Sequence, residues 1–259
     1  MSILKPYRRI WRPLRGYSYM NEVWVTDTPV ASLDYLRSDL FVNQLEMGSL
    51  ITTARLIVHD LYELFNYIEP DDNNVRTFSH RIYELFLRTT TEVESNMKGI
   101  LSANLYSAGN LRMSHDYFQL SSLLKLPEYR VIFKRWSSNR EFKPFEAWNT
   151  VTYAPLPWYQ AYNNVKHNRY DNFKEAHLEN LMMAIAGLLA LLHAQFGEEM
   201  ASACFEGMSV LQQSQNKIET GSFYIYAPTF EDSEQYEFIW ENLKNEPDPV
   251  VPYQFTSES

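Results

Sequence analysis

The residues best equipped for chemistry lie together in WYQAYNNVKHNRYDNFKEAHLENLMMAIAGLLALLH, residues 158–193. Here Asn163, Asn164, Lys166, His167, Asn168, Arg169 and His177 precede or begin a long apolar run. Histidine exchanges a proton near neutral pH, and lysine and arginine hold anions, so the set has the parts for acid–base chemistry beside a bound anion. Polar groups that run into a hydrophobic helix are costly unless paired. Their partners are either other side chains or a ligand, and the sequence leaves both open.

The elements that must position this set read as helices. Pro157 suits a first helical position, and WYQAYNNVKH follows it without Gly or Pro. A spacing of four puts Asn163 above His167 and Tyr162 above Lys166. Asp171 or Asn172 is expected to cap a second, nearly all-apolar helix over residues 173–196 that Gly197 ends, with His177 and Asn180 on its Phe173, Ala184 and Leu191 side. Upstream, Leu45, Leu50, Ile51, Ala54, Ile57, Val58, Leu61 and Leu64 predict a helix through residues 40–67, stopped by EPDDNN. The next helix is expected from about residue 75 to 104. On it Thr89 and Asn96 fall within the stripe of Ile82, Leu85, Phe86, Val93, Met97 and Ile100, with Glu92 on its flank. Singly, these polar groups read as structural, Thr89 bonding its own preceding turn and Asn96 and Glu92 tying two helices together. As a set they are a face that answers the 158–193 window.

The remaining chain reads as covering structure on one domain of 259 residues: an irregular or β segment over 1–40, a helical bundle over 41–205 and a docking tail over 206–259. Residues 107–157 predict a short helix followed by a long loop anchored by Trp136, Phe142, Phe145 and Trp148. A short helix is expected over residues 198–205, and alternation around residues 223–226 predicts a strand. Tyr236, Phe238, Ile239, Trp240, Val250, Val251, Tyr253 and Phe255 give the tail apolar surface for docking on the domain or on a partner.

Composition narrows the function classes. A hydrophobic content of 45% with 15% aromatics is that of a folding chain, and a net charge of -9 argues against a broad nucleic-acid footprint while leaving room for local basic patches. The lone Cys204 excludes an internal disulfide and a multi-cysteine zinc site, and neither a metal site nor a cofactor is expected. The N-terminus lacks a signal-peptide core, and the longest apolar run, residues 181–192, is too short to span a bilayer, so a cytoplasmic protein with no membrane partner is expected. Phosphate-cradling, dinucleotide, nucleophile-elbow and zincin motifs are missing.

YNNVKHNR and FKEAHLENLMMAIAGLLALL, with the upstream RIYELFLRTTTEVESN, resemble the HEPN superfamily of bacterial helical domains over residues 46–196. The resemblance implies a mainly α, HEPN-like helical bundle with short β or irregular segments packed on it, often dimeric. Catalytic members are metal-independent ribonucleases of toxin–antitoxin, phage-defence and RNA-processing systems. Their motif is an Arg, commonly followed by Asn, Asp or His, and then a His after about four to six intervening residues. Carried onto this chain, the Asn falls at Asn163 and the His at His167, while Tyr162 holds the Arg position. That chemistry needs a group to draw the proton from a ribose 2′-OH and a cation for the charge developing on phosphate. His167 is the candidate for the first role. Tyr162 supplies no cation, which leaves Lys166 or Arg169 for the second.

Three readings follow. The first is a module that binds RNA or a nucleotide, or a protein partner or second copy, through Tyr162, Asn163, Glu92, Asn96 and His177. The second is a variant ribonuclease with His167, Lys166 and Arg169 as catalytic residues. The third is a structural bundle whose polar groups satisfy one another.

Overall fold

The computed structural model describes residues 3–15, 17–20, 23–26, 33–197 and 217–256. The expected helix over residues 198–205 and Cys204 lie outside the described residues. An antiparallel pair, β1 (Tyr17–Met20) and β2 (Val23–Thr26), precedes the helices. α1 (Gln44–Leu64) starts where the Asn43 side chain accepts the Glu46 backbone N–H at 3.0 Å, and it buries Ile51, Ala54, Ile57, Val58, Leu61 and Leu64. α2 (His80–Ala103) starts later than its periodicity predicts. Residues Asp72–Asn74 form a 3-10 turn, and Ser79 caps the helix by accepting from Ile82 N–H at 3.2 Å.

A π-helical turn and the short α3 (Gln119–Leu123) lead into a stretch expected to be loop throughout. It contains a strand, β3 (Arg130–Phe133), whose partner is distant in sequence. β3 pairs antiparallel with β5 (Phe223–Tyr226), which also pairs antiparallel with β4 (Lys217–Glu219). The inner face of this sheet, Val131, Phe133, Ile218, Phe223 and Ile225, is buried, as are Trp136, Phe142, Phe145 and Trp148.

α4 (Pro157–His167) is followed by a four-residue turn of helix, α5 (Arg169–Asn172), a 3-10 turn over Phe173–Glu175, and α6 (Leu178–Phe196). The expected cap at Asp171 or Asn172 is corrected to His177. The chain at His177 is extended, and Leu178 and Glu179 donate their N–H groups to Thr77 and Val75 carbonyls at 2.9 and 3.0 Å. Those bonds satisfy donors that a helix leaves open, and so fix where α6 begins. α6 lies mainly along α2 and also contacts α1 and α4. By length and composition it passes for a membrane span, but 83% of that window is buried inside the bundle.

One contiguous core reaches from Ile10 to Val250 and includes both ends of the described chain. Leu14 and Ile3 bridge to Tyr236, whose hydroxyl donates to Ile10 O at 2.7 Å, and α7 (Trp240–Leu243) buries Trp240 and Leu243. Arg9 is inserted beneath this layer, 3% exposed and at φ 56. Its Nε and Nη2 donate to Gln195 Oε1 at 3.0 and 2.6 Å, and its Nη1 pairs with Glu46 at 2.6 Å. Gly99 makes the space, since a Cβ there would sit 2.3 Å from Arg9 Nη1. Gly99→Ala is therefore expected to destabilise the fold by roughly 1–3 kcal/mol, because the guanidinium is held from two sides and cannot retreat. Thermal melts check this, and a melting temperature equal to wild type would refute the clash.

Candidate functional site

The crowded window 158–193 separates into distinct places. Asn164, Asn168 and Asn172 are turn builders: Asn168 caps α5, donating to and accepting from Asp171; Asn164 donates to Glu175 at 2.9 Å; Asn172 donates to Asn164 O at 3.1 Å. Asn163 is half-buried and His167 is exposed at the last position of α4, and neither hydrogen-bonds through its side chain among the described residues. The two stand one turn apart, as their spacing predicts.

Tyr162 is 3% exposed and faces α2. It meets Glu94, not the expected Glu92 and Asn96. Tyr159 donates its hydroxyl to Glu94 Oε1, and Tyr162 donates to Oε2 at 3.3 Å. Burial, then Glu94, raises the Tyr159 pKa well above the usual range, so the phenol stays protonated and donates. Lys166 Nζ lies 5.1 Å from the Tyr162 ring centroid. Its interaction with Tyr162 raises its pKa, outweighing the opposing effect of burial, and the Glu94 charge adds to the rise. Lys166 is otherwise exposed. Glu94 lies one row away from the stripe that periodicity marks, one turn after Thr90 and three residues before Met97, on the row that faces α4.

The expected answering face is also corrected. Asn96 is buried and points to α6, donating to Glu92 O at 2.8 Å and accepting from Gln195 Nε2 at 2.9 Å. It extends the Arg9–Gln195 network and ties two helices. Glu92 is half-buried, with its pKa raised by that burial and partly offset by Arg88. Thr89 donates to Leu85 O at 2.7 Å, within its own helix.

Arg169 has a different setting. Its guanidinium stacks on Tyr83 and Phe173, 4.8 and 5.5 Å from the centroids, and Nη2 reaches His80 Nδ1 at 3.0 Å. Arginine is always a donor, so Nδ1 accepts and the neutral ring carries its proton on Nε2. His80 and Phe78 pack on Phe173 at 4.8 and 5.7 Å, and Phe78 is 49% exposed. An exposed Arg–His couple on an aromatic floor thus stands at the junction of α2 and α5, with His167 two residues before Arg169. The sequence carries Arg169 and His80 on separate helices, so no local spacing announces the pair.

His177 lines a cleft of about 580 Å³ with Arg76, Trp158, Glu179, Asn180 and Met183. Arg76 Nη1 reaches its Nε2 at 2.7 Å, and Asn180 N–H reaches its Nδ1 at 3.4 Å. A neutral imidazole has one acceptor nitrogen, so these donors compete, and the shorter Arg76 contact prevails. Burial, then Arg76, lowers the His177 pKa. Glu179 in turn pairs with Arg76 and with Arg140, which binds Asp72 at 3.0 Å. The cleft's charges are met within the network. Among the described residues no three His, Cys, Asp or Glu side chains converge as a metal set.

Comparison with protein-family models, with curated proteins and with solved structures finds no match to this chain.

Proposed function

We propose that the chain is a HEPN-like helical module of a bacterial defence or toxin–antitoxin type system that binds RNA or a nucleotide at the α2–α5 junction. The observation that carries this reading is the exposed Arg169–His80 couple stacked on Tyr83 and Phe173. A guanidinium seated over aromatic rings keeps its outer N–H groups for phosphate, and the exposed Phe78 nearby offers a ring to a base. Filter binding of labelled single-stranded RNA at two salt concentrations tests it. Arg169→Ala is expected to weaken binding at least about 10-fold and to reduce the salt dependence. Equal binding by wild type and variant would refute this placement.

A second reading, a variant metal-independent ribonuclease, draws on the same contact. In this reading Arg169, with His80 at 3.0 Å and His167 two residues before it in the chain, supplies the cation that Tyr162 does not. One histidine would take the 2′-OH proton, the other would protonate the leaving 5′ oxygen, and Arg169 would stabilise the charge on phosphate. Incubation of labelled RNA without metal, beside His80→Ala and His167→Ala, decides it: an absence of cleavage, or cleavage equal in all three proteins, sinks the enzyme. Gel filtration with light scattering tests the accompanying homodimer.

A further inference from the structure

The outer face of the three-stranded sheet has a pattern that the helical site does not use. Side chains alternate along a strand, so the residues opposite the buried Val131, Phe133, Phe223 and Ile225 point outward. In register, Tyr226 stands between Arg130 and Lys217, and the Arg130 guanidinium lies 4.4 Å from its centroid. Tyr224 has Lys217 at 4.2 Å and Lys134 at 4.7 Å. Three cations therefore alternate with two tyrosines in a chain whose net charge is -9.

We propose that this face is a platform for single-stranded nucleic acid, with Tyr224 and Tyr226 as stacking rings and Arg130, Lys134 and Lys217 as phosphate contacts. The rings are half-buried and lie two residues apart on one strand, about 7 Å along it. That separation suits two unstacked bases, being roughly twice the ~3.4 Å step of a duplex strand. Each ring has a cation over its face, Arg130 on Tyr226 and Lys217 and Lys134 on Tyr224, so a base stacks by displacing a flexible cation from the ring toward the base's own phosphate. Glu219 binds Lys134 at 2.7 Å and Glu141 binds Arg130 at 3.0 Å. These carboxylates hold the cations in place and are what an arriving phosphate competes with. A cleft of about 550 Å³ continues the face past Arg130 and Tyr226 to Lys143, which pairs with Glu141 at 3.2 Å, and Glu128 and Glu146 also line it. An acidic peptide would engage the cations and leave the rings idle; the paired rings favour the nucleic acid. The inference stands on the sheet alone and does not need the Arg169–His80 reading.

The test is fluorescence anisotropy of the full chain with a labelled ten-nucleotide oligouridylate at two salt concentrations. Tyr224→Ala/Tyr226→Ala is expected to lose roughly 30-fold or more in affinity, and Lys217→Gln to lower the salt slope by about one. Tyr226→Leu, which keeps the apolar bulk, serves if the double variant does not fold, with an expected loss of about 5-fold or more. Absence of binding by wild type, full affinity in a folded tyrosine variant, or equal competition by oligoglutamate would overturn the proposal. Arg169→Ala separates the two sites. Loss there with intact binding in the tyrosine variants removes the sheet platform and keeps the helical site; the reverse pattern removes the helical site and keeps the platform.

Discussion

Arg9→Met is expected to lower the unfolding free energy by about 3 kcal/mol, because it breaks a buried charge network from its centre. The guanidinium is buried, donates twice to Gln195 and pairs with Glu46. Burial lowers the Arg9 pKa, and the Glu46 charge and hydrogen bond partly restore it, so the charge is tolerated only because its partners are in place. Methionine fills most of the space and keeps the left-handed backbone at residue 9, so the loss isolates the side-chain bonds. Glu46 is half exposed and water replaces its lost partner, whereas Gln195 is fully buried and its Oε1 is left bare. Urea unfolding of Arg9→Met, Gln195→Leu and the double variant measures the coupling. A double variant whose loss equals the sum of the two single losses would show that the network is not a unit.

The second large effect is a pH dependence set by His193. This residue lies within α6, 2% exposed, with Tyr129 OH 2.8 Å from Nδ1 and the Trp11 ring edge-on at 5.1 Å. Burial pushes its pKa down from 6.5 to about 3. The folded state therefore refuses a proton that the unfolded chain accepts near pH 6.5. The stability it contributes is complete above that pH and is lost as pH falls through the window toward 3. Relative to His193→Gln, which can still bond Tyr129, wild type is expected to lose about 2 kcal/mol between pH 6.5 and 4.5. Denaturant midpoints at several pH values give the comparison. A constant difference between the two proteins across this window would place the charged imidazole in the fold and remove the effect.

Much of the helical framework is legible in the sequence because helix burial has a period. Ile51, Ala54, Ile57, Val58, Leu61 and Leu64 mark α1, and the all-apolar run from residue 181 marks the central α6. The stretch from Phe223 to Tyr226 shows the other period: Phe223, Tyr224, Ile225 and Tyr226 alternate, and the strand is there. Its partner at residues 130–133 reads as loop, since a four-residue strand about ninety positions away leaves only a faint local trace. The α6 start escapes local reading for a similar reason. Asp171 and Asn172 are good caps by type, but the backbone at Thr77 and Val75 takes the first N–H groups and selects His177.

The polar residues divide along the same line. Their concentration in residues 158–193, and the one-turn spacing of Asn163 and His167, belong to the sequence alone. So does the helical character of the chain, because it follows from residue spacing within single elements. Which polar groups meet was decided only by the tertiary structure. Glu94 stands opposite Tyr162 in place of Glu92 and Asn96, Asn96 went to Gln195, which holds Arg9, and Arg169 found His80. A rotation of one residue, about 100° about a helix axis, is enough to move a side chain from one neighbour to another. Periodicity fixes which stripe is buried; the packing angle and the order of the helices fix what each polar group on that stripe touches.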